Sequence, residues 1–193
     1  YVIQGADALV REAKLLRPAK IHAASNFRNA LPALIAARRL GLPFVYEVRG
    51  LWEVTEASKK DGWDSTERYQ AMAGLERLVA EEADIVLAIT QEVADELIRR
   101  GVPEARIRIA PNSVDSDAFL PLPPDEQYAN EKKIRRDVPV IGFAGSIVDY
   151  EGLDTLLQAA KILDEQGRDF QVVIAGSGRY EGKLRQIRDS EEI

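Results

Sequence analysis

The chain has 193 residues, 46% of them hydrophobic and 30% charged, a balance that suits a globular protein and argues against disorder. A formal net charge of −6 speaks against broad electrostatic binding of nucleic acid, and the lack of cysteine excludes disulfides, thiolate nucleophiles and Cys-based zinc sites while fitting a cytoplasmic protein. No apolar run reaches the ~20 residues that span a bilayer and residues 1–9 do not pattern as a signal peptide, so any membrane contact is expected to be peripheral.

Periodicity predicts a helix over 6–16, with Leu9, Val10, Ala13 and Leu16 at helical spacing, and then a short strand over 20–24. A second helix over 31–40 carries Pro32 in its first turn and stops at Gly41. Residues 44–48 read as a strand, 49–63 as a polar loop and 65–82 as a long helix, with Glu76 to Glu82 and Asp84 as solvated charge and a helix terminus. A strand over 84–89 follows. Thr90 can cap a helix over 91–100 closed by Gly101, and 107–109 makes one more strand. Strand and helix alternate throughout, which predicts an α/β fold with a parallel, doubly wound sheet.

Five of the nine prolines fall between Pro111 and Pro139, in a segment that also holds the polar run 125–137. The chain therefore divides into a first domain over 1–115, a linker over 116–137 and a second domain over 138–193. The second begins with a strand at 138–144, a helix at 153–163 and a strand at 170–175. Two strands and four are few for such domains, and the chain opens on Tyr1 and stops after a helical pattern, so both domains are expected to be incomplete in an interior segment of a longer protein.

In open parallel sheets ligands bind beyond the carboxyl ends of the strands. Those ends here are 22–28, 47–53, Thr90, Asn112 with Ser113, 145–152 and 176–179. If the domains face one another across the proline-rich hinge, all would line one cleft. Val140-Ile-Gly-Phe-Ala-Gly-Ser146 and Val172-Val-Ile-Ala-Gly-Ser-Gly-Arg179 read as buried strands ending in glycine turns, where backbone N–H groups can approach a phosphate. Gly145, Ser146, Gly176, Gly178 and Arg179 are the donor-side candidates. A ligand-free strand-to-helix turn is the other reading of Gly176 and Gly178. A P-loop is excluded, because Ser177 stands where its first glycine belongs and Leu184 follows Lys183.

His22 is the single histidine and stands at a strand end, where an imidazole can donate to and accept from substrate hydroxyls. Glu47, Arg49, Trp52 and Glu53 crowd together after an apolar strand, a grouping that suits a sugar or polar acceptor through stacking and bidentate hydrogen bonds. A loop held by a salt bridge and a half-buried tryptophan would look the same. No residue set suggests a metal.

At these residues the chain resembles the group 1 (family 4) retaining glycosyltransferases of the GT-B fold. Ile21-His-Ala-Ala-Ser-Asn26 is similar to that family's histidine-bearing strand end. Ala83-Asp-Ile-Val-Leu-Ala-Ile-Thr90 and Ile109-Ala-Pro-Asn-Ser-Val-Asp115 resemble its next strand and its "PNGVD" turn, and 141–154 with 173–178 resemble the opening of its donor-binding domain. The resemblance implies two Rossmann-like domains that close on their substrates. It also implies transfer of a sugar from a nucleotide-sugar donor to a sugar or lipid-linked acceptor, such as a polysaccharide or glycolipid precursor, with retention, no cofactor and no obligatory metal. His22 becomes the catalytic candidate, and Glu47, Arg49, Trp52 and Glu53 the acceptor-side cleft. Departures stand beside these likenesses. Ser146 and Glu151 replace the arginine and lysine that many members aim at the diphosphate, and Ala24 replaces a second histidine. The family's paired donor-site glutamates and N-terminal glycine-rich loop have no counterpart here, so the segment alone is expected to be inactive. A non-catalytic nucleotide- or sugar-binding module and a GT-B nucleotide-sugar epimerase are the alternative readings.

Overall fold

The computed structural model describes residues 1–190, and the chain divides into two compact units between Asp115 and Ser116. The first unit runs α1 (Val2–Leu16), β1 (Ile21–Ala24), α2 (Phe27–Leu40), β2 (Phe44–Val48), α3 (Trp52–Ala57), α4 (Glu67–Glu82), β3 (Ile85–Ala88), α5 (Gln91–Arg99) and β4 (Ile107–Ile109). Its strands form one parallel sheet in the order β1-β2-β3-β4, with Ile21 beside Phe44, Val45 beside Ile85 and Val86 beside Ile107.

Each crossover steps the same way across the sheet, and right-handed crossovers then place the connecting helices on one face. The core agrees. Ala33 and Leu34 of α2, Val79 and Ala80 of α4, and Ala94 and Leu97 of α5 cluster with Ala23, Phe44, Tyr46, Val48, Val86 and Ala88 of the strands. Strand alternation assigns His22, Glu47 and Arg108 to the opposite face.

The first unit departs from the sequence pattern in two places that matter for the site. Helix α2 starts four residues early because Asn26 caps it, its Oδ1 accepting the Arg28 N–H at 3.1 Å. Pro32 therefore lies in the helix interior, where it has no N–H for the Arg28 carbonyl. A Cβ on Gly5 would come within 3.2 Å of Pro32 Cβ, so the glycine lets α1 cross α2 closely. Secondly, 49–63 is not simply a polar loop. It contains α3, and the 3₁₀ turn Trp63–Ser65 follows.

The second unit contains α6 (Glu126–Glu131), β5 (Val140–Ala144), α7 (Leu153–Glu165), β6 (Gln171–Ala175) and α8 (Glu181–Ser190). β5 and β6 pair in parallel from Val140 beside Gln171 to Ala144 beside Ala175. Ile147, Leu153, Leu157 and Leu184 form its core, flanked by Phe143, Ile174 and Tyr180. The later part of the segment read as a linker, from Asp125 on, carries a helix and long-range contacts. Asp125 caps α6 by accepting the Tyr128 N–H at 2.9 Å. The Arg135 N–H donates to Gln171 Oε1 at 2.7 Å, Gln171 Nε2 donates to the Lys133 carbonyl at 3.0 Å, and the Arg135 guanidinium grips both oxygens of Asp169. These contacts fasten the segment beside β6. No helix among the described residues is long and apolar enough to cross a membrane.

Candidate functional site

Three of the expected residues come together on one face of the first sheet, although His22 is the second residue of β1, beside Val45, and not at that strand's carboxyl end. His22 Nε2 lies 3.0 Å from Glu47 Oε2, and Arg49 Nε donates to Glu47 Oε1 at 2.7 Å. One carboxylate thus holds an imidazole and a guanidinium. Its hydrogen bond from Arg49, more than its attraction to His22, keeps the Glu47 carboxyl below the usual carboxylate range, and the same contact raises Arg49. The Nε2 side of the imidazole thus faces the carboxylate. His22 and Arg49 side chains are 42% and 62% exposed, so a ligand can reach both.

Ser25 fixes the two strand ends to each other. Its N–H donates to the Glu47 carbonyl at 2.8 Å, and its Oγ accepts the Arg49 N–H at 3.1 Å. The first N–H groups of α2 are already engaged: Phe27 donates to Glu76 Oε1 at 2.9 Å and Arg28 to Asn26 Oδ1. That helix end therefore does not direct them at an external anion.

Trp52 is 53% exposed at the start of α3, as a stacking surface requires. Glu53 departs from the cleft expected of it. Successive helix positions point about 100° apart, and Glu53 turns into the core, fully buried, with Oε1 2.5 Å from Arg100 Nη1. Arg100 Nε also donates to Glu96 Oε1 at 2.6 Å.

Glu76 is a second correction. The charge expected to be solvated is 1% exposed, accepting the Phe27 N–H with one oxygen and the Tyr46 O–H with the other. Burial pushes the Glu76 carboxyl up against the opposing pull of those hydrogen bonds, and burial likewise raises the Tyr46 phenol. Sequence reading passed over Ser25, Tyr46, Glu76 and Arg100. For Glu76 a signal existed, since positions 76, 79, 80 and 83 share one helical face and the last three are Val79, Ala80 and Ala83. Thr90 serves as the cap of α5, its Oγ1 accepting the Val93 N–H at 3.3 Å.

In the second unit, the loops after β5 and β6 lie side by side. Gly145 N–H donates to the Ala175 carbonyl at 3.0 Å, Ile147 N–H to Ser177 O at 2.9 Å and Tyr180 N–H to Ile147 O at 3.1 Å. A Cβ on Gly176 would stand 1.8 Å from Gly145 O, and one on Gly178 would stand 2.1 Å from Ile147 O. Both glycines are therefore required by loop-to-loop approach, ligand or not. Gly145 needs correction as a phosphate donor, because its N–H already serves β6. Ser146 is exposed after β5, and Arg179 Nη2 donates to Asp149 Oδ1 at 2.6 Å, with side chains 66% and 49% exposed. The outer rim of the paired loops thus offers a hydroxyl and a guanidinium.

A groove of about 720 Å³ opens among α7, β6 and α8, floored by Leu157, Ile174 and Leu184. None of Gly145, Ser146, Gly176, Gly178 or Arg179 lines it, although Ile147 of the loop after β5 does. Among the described residues, no three His, Asp or Glu side chains converge as a metal site requires.

Comparison with known proteins adds an independent line. A family model described as "Glycosyl transferase 4-like domain" matches residues 3–113, and one described as "Glycosyl transferases group 1" matches residues 124–193. A D-inositol 3-phosphate glycosyltransferase of Xylanimonas cellulosilytica is 32% identical over 165 residues, 82% of this chain and 38% of its own length. The putative glycosyltransferase EpsF of Bacillus subtilis is 28% identical over 171 residues, 86% of this chain and 42% of its own. Among solved structures, Anabaena Alr3699/HepE in complex with UDP-glucose superimposes with a TM-score of 0.77 at 17% identity, covering 97% of this chain and 48% of that one. The chain thus spans less than half the length of these three proteins, and the last likeness is one of fold.

Proposed function

This chain belongs to the group 1 glycosyltransferases, and we propose that the activity it serves is transfer of a sugar from a nucleotide-sugar to a hydroxyl acceptor with retention of anomeric configuration. The observation that carries the proposal is the tandem of family matches, 3–113 and then 124–193, each on its own parallel α/β unit. The donor diphosphate is assigned to the rim of the β5 and β6 loops, with Ser146 and Arg179 as its side-chain contacts. The exposed His22 and Arg49, held by Glu47, are assigned to sugar or acceptor hydroxyls, and Trp52 to stacking. Catalysis then rests on positioning and on stabilising the charge of the leaving diphosphate. Following the family resemblance, neither a cofactor nor an obligatory metal is proposed. The relative named as a D-inositol 3-phosphate glycosyltransferase and the neighbour solved with UDP-glucose support a polyol or glycan acceptor and a UDP donor as the first substrates to try. A cytoplasmic location is part of the proposal and is supported by the cysteine-free sequence.

The test is a calorimetric titration of the intact protein with UDP, GDP, ADP and their sugar conjugates, followed by product analysis with and without added acceptor. Selective binding of one base, with transfer only when acceptor is present, is the expected result. Donor conversion without acceptor would assign an epimerase. Nucleotide binding without turnover would assign a binding module, and failure of every nucleotide to bind would remove the donor-site assignment.

A further inference from the structure

The buried Tyr46–Glu76 pair lies on the helix-covered face of the first sheet, whereas His22 and Glu47 belong to the other face. It nevertheless touches both segments that carry the site. We propose that Glu76 is a positioning residue for the His22–Glu47–Arg49 group, acting through the turn before α2 and through β2. The proposal rests on reading that group as the ligand-contacting site of the first unit.

Each Glu76 oxygen has its own task. Oε1 accepts the N–H of Phe27, 49 positions away, directly after the Ser25–Asn26 turn. Oε2 accepts the O–H of Tyr46, the chain neighbour of Glu47. Ser25 in turn bonds the Glu47 carbonyl and the Arg49 N–H, so the two arms of Glu76 converge on the segments that set the 3.0 Å approach of His22 to Glu47. A residue needed only to fill the core would be apolar, because a carboxylate in that place is costly unless hydrogen-bonded. Tyr46, Glu53 and Arg100 supply the charged and titratable surroundings of Glu76. Loss of Glu76 leaves the Phe27 N–H without its acceptor and releases Tyr46, and the two strand ends can then shift relative to one another.

The single histidine makes this measurable. The imidazole NMR signals of the ligand-free 193-residue chain come from His22 alone, and Glu47→Gln sets their position when the carboxylate facing the imidazole is neutralised. Glu76→Ala is expected to move the signals toward the Glu47→Gln position. Glu76→Gln, whose amide oxygen can still accept from Phe27, is expected to leave them close to the wild type. Leu97→Ala, a core truncation among the helices, controls for general loosening and is expected to leave them in place. A folded Glu76→Ala variant with wild-type His22 signals overturns the proposal, and so does an equal displacement in Leu97→Ala. Should Glu76→Ala not fold, Tyr46→Phe removes the β2 arm alone. Signals displaced toward the Glu47→Gln position support the proposal, and unmoved signals overturn it. No nucleotide enters the measurement, so its outcome is separate from that of the donor titration.

Discussion

Glu53 and Arg100 stand 47 positions apart in the chain and meet at 2.5 Å in the interior of the first unit. Glu53 is fully buried and the Arg100 side chain is 10% exposed. The contact ties α3 to the end of α5 and so fixes where the exposed Trp52 stands. Arg100 also holds Glu96, while Glu53 Oε2 and Arg100 Nη2 have no partner within the described protein. Incomplete satisfaction of this kind makes a buried pair a poor source of net stability but an expensive one to break on one side.

Arg100→Met should therefore cost about 3–5 kcal/mol, the range for stranding one buried charge, whereas Glu53→Leu combined with Arg100→Met should recover most of that loss. Urea unfolding of the three proteins measures both effects. A single substitution as mild as the double would show that Glu53 is relieved by water and that the pair is not needed to hold α3.

Burial raises the Glu76 carboxyl, so the folded chain binds that proton more tightly than the unfolded chain does. Its contribution to stability is complete below the unfolded value near ~4.3 and is lost as the pH rises toward the folded value. Glu76→Gln stays neutral throughout. Relative to the wild type, that variant should gain stability as the pH rises from about 4 to 7. Urea midpoints across that range read the difference, and parallel profiles would mean that Glu76 ionises in the fold without penalty.

What the sequence disclosed and what it hid follow one physical division. The end of an apolar strand is a local feature, so Glu47 and Arg49 could be grouped from one run and its neighbours, whereas the contact of His22 with Glu47 joins two strands and has no local signal. The paired glycine loops were legible for the same reason, but the purpose of Gly176 and Gly178 was not. It depends on the carbonyls of Gly145 and Ile147, roughly thirty positions earlier in the chain. Glu53 and Glu76 look solvated in any local window because the partners that justify their burial, Arg100 and Tyr46, are 47 and 30 positions away. The early start of α2 was missed because residues 27–30 carry little apolar periodicity, although Asn26 is a favoured cap residue and its side chain supplies the cap.

The loop glycines of the second unit are expected to divide into two classes. An alanine Cβ at Gly178 would meet the Ile147 carbonyl at 2.1 Å, which forces the backbone to move, whereas one at Gly145 meets only the Phe143 ring, at 3.0 Å. Gly178→Ala should therefore destabilise the unit by about 1–3 kcal/mol, the usual cost of overpacking, and Gly145→Ala by clearly less. Hydrogen exchange of the β5 and β6 amides follows this unit by itself. Equal protection losses in the two variants would contradict the close approach of the loops.

Arg179 and Asp149 form an exposed pair at 2.6 Å on the rim assigned to the diphosphate. A surface pair of this kind contributes only about 0–1 kcal/mol, so a ligand phosphate bearing more charge can displace the carboxylate at little cost. Arg179→Ala should leave stability nearly unchanged and weaken nucleoside diphosphate binding by about tenfold, the equivalent of ~1.4 kcal/mol. Asp149→Asn should act in the opposite direction, tightening binding by removing a competing negative charge beside the guanidinium. Both effects should shrink as salt is added, because the charges are exposed to solvent. Titration of UDP at low and high ionic strength measures all of this. If Arg179→Ala binds UDP as the wild type does, the diphosphate lies elsewhere and the rim assignment must be abandoned.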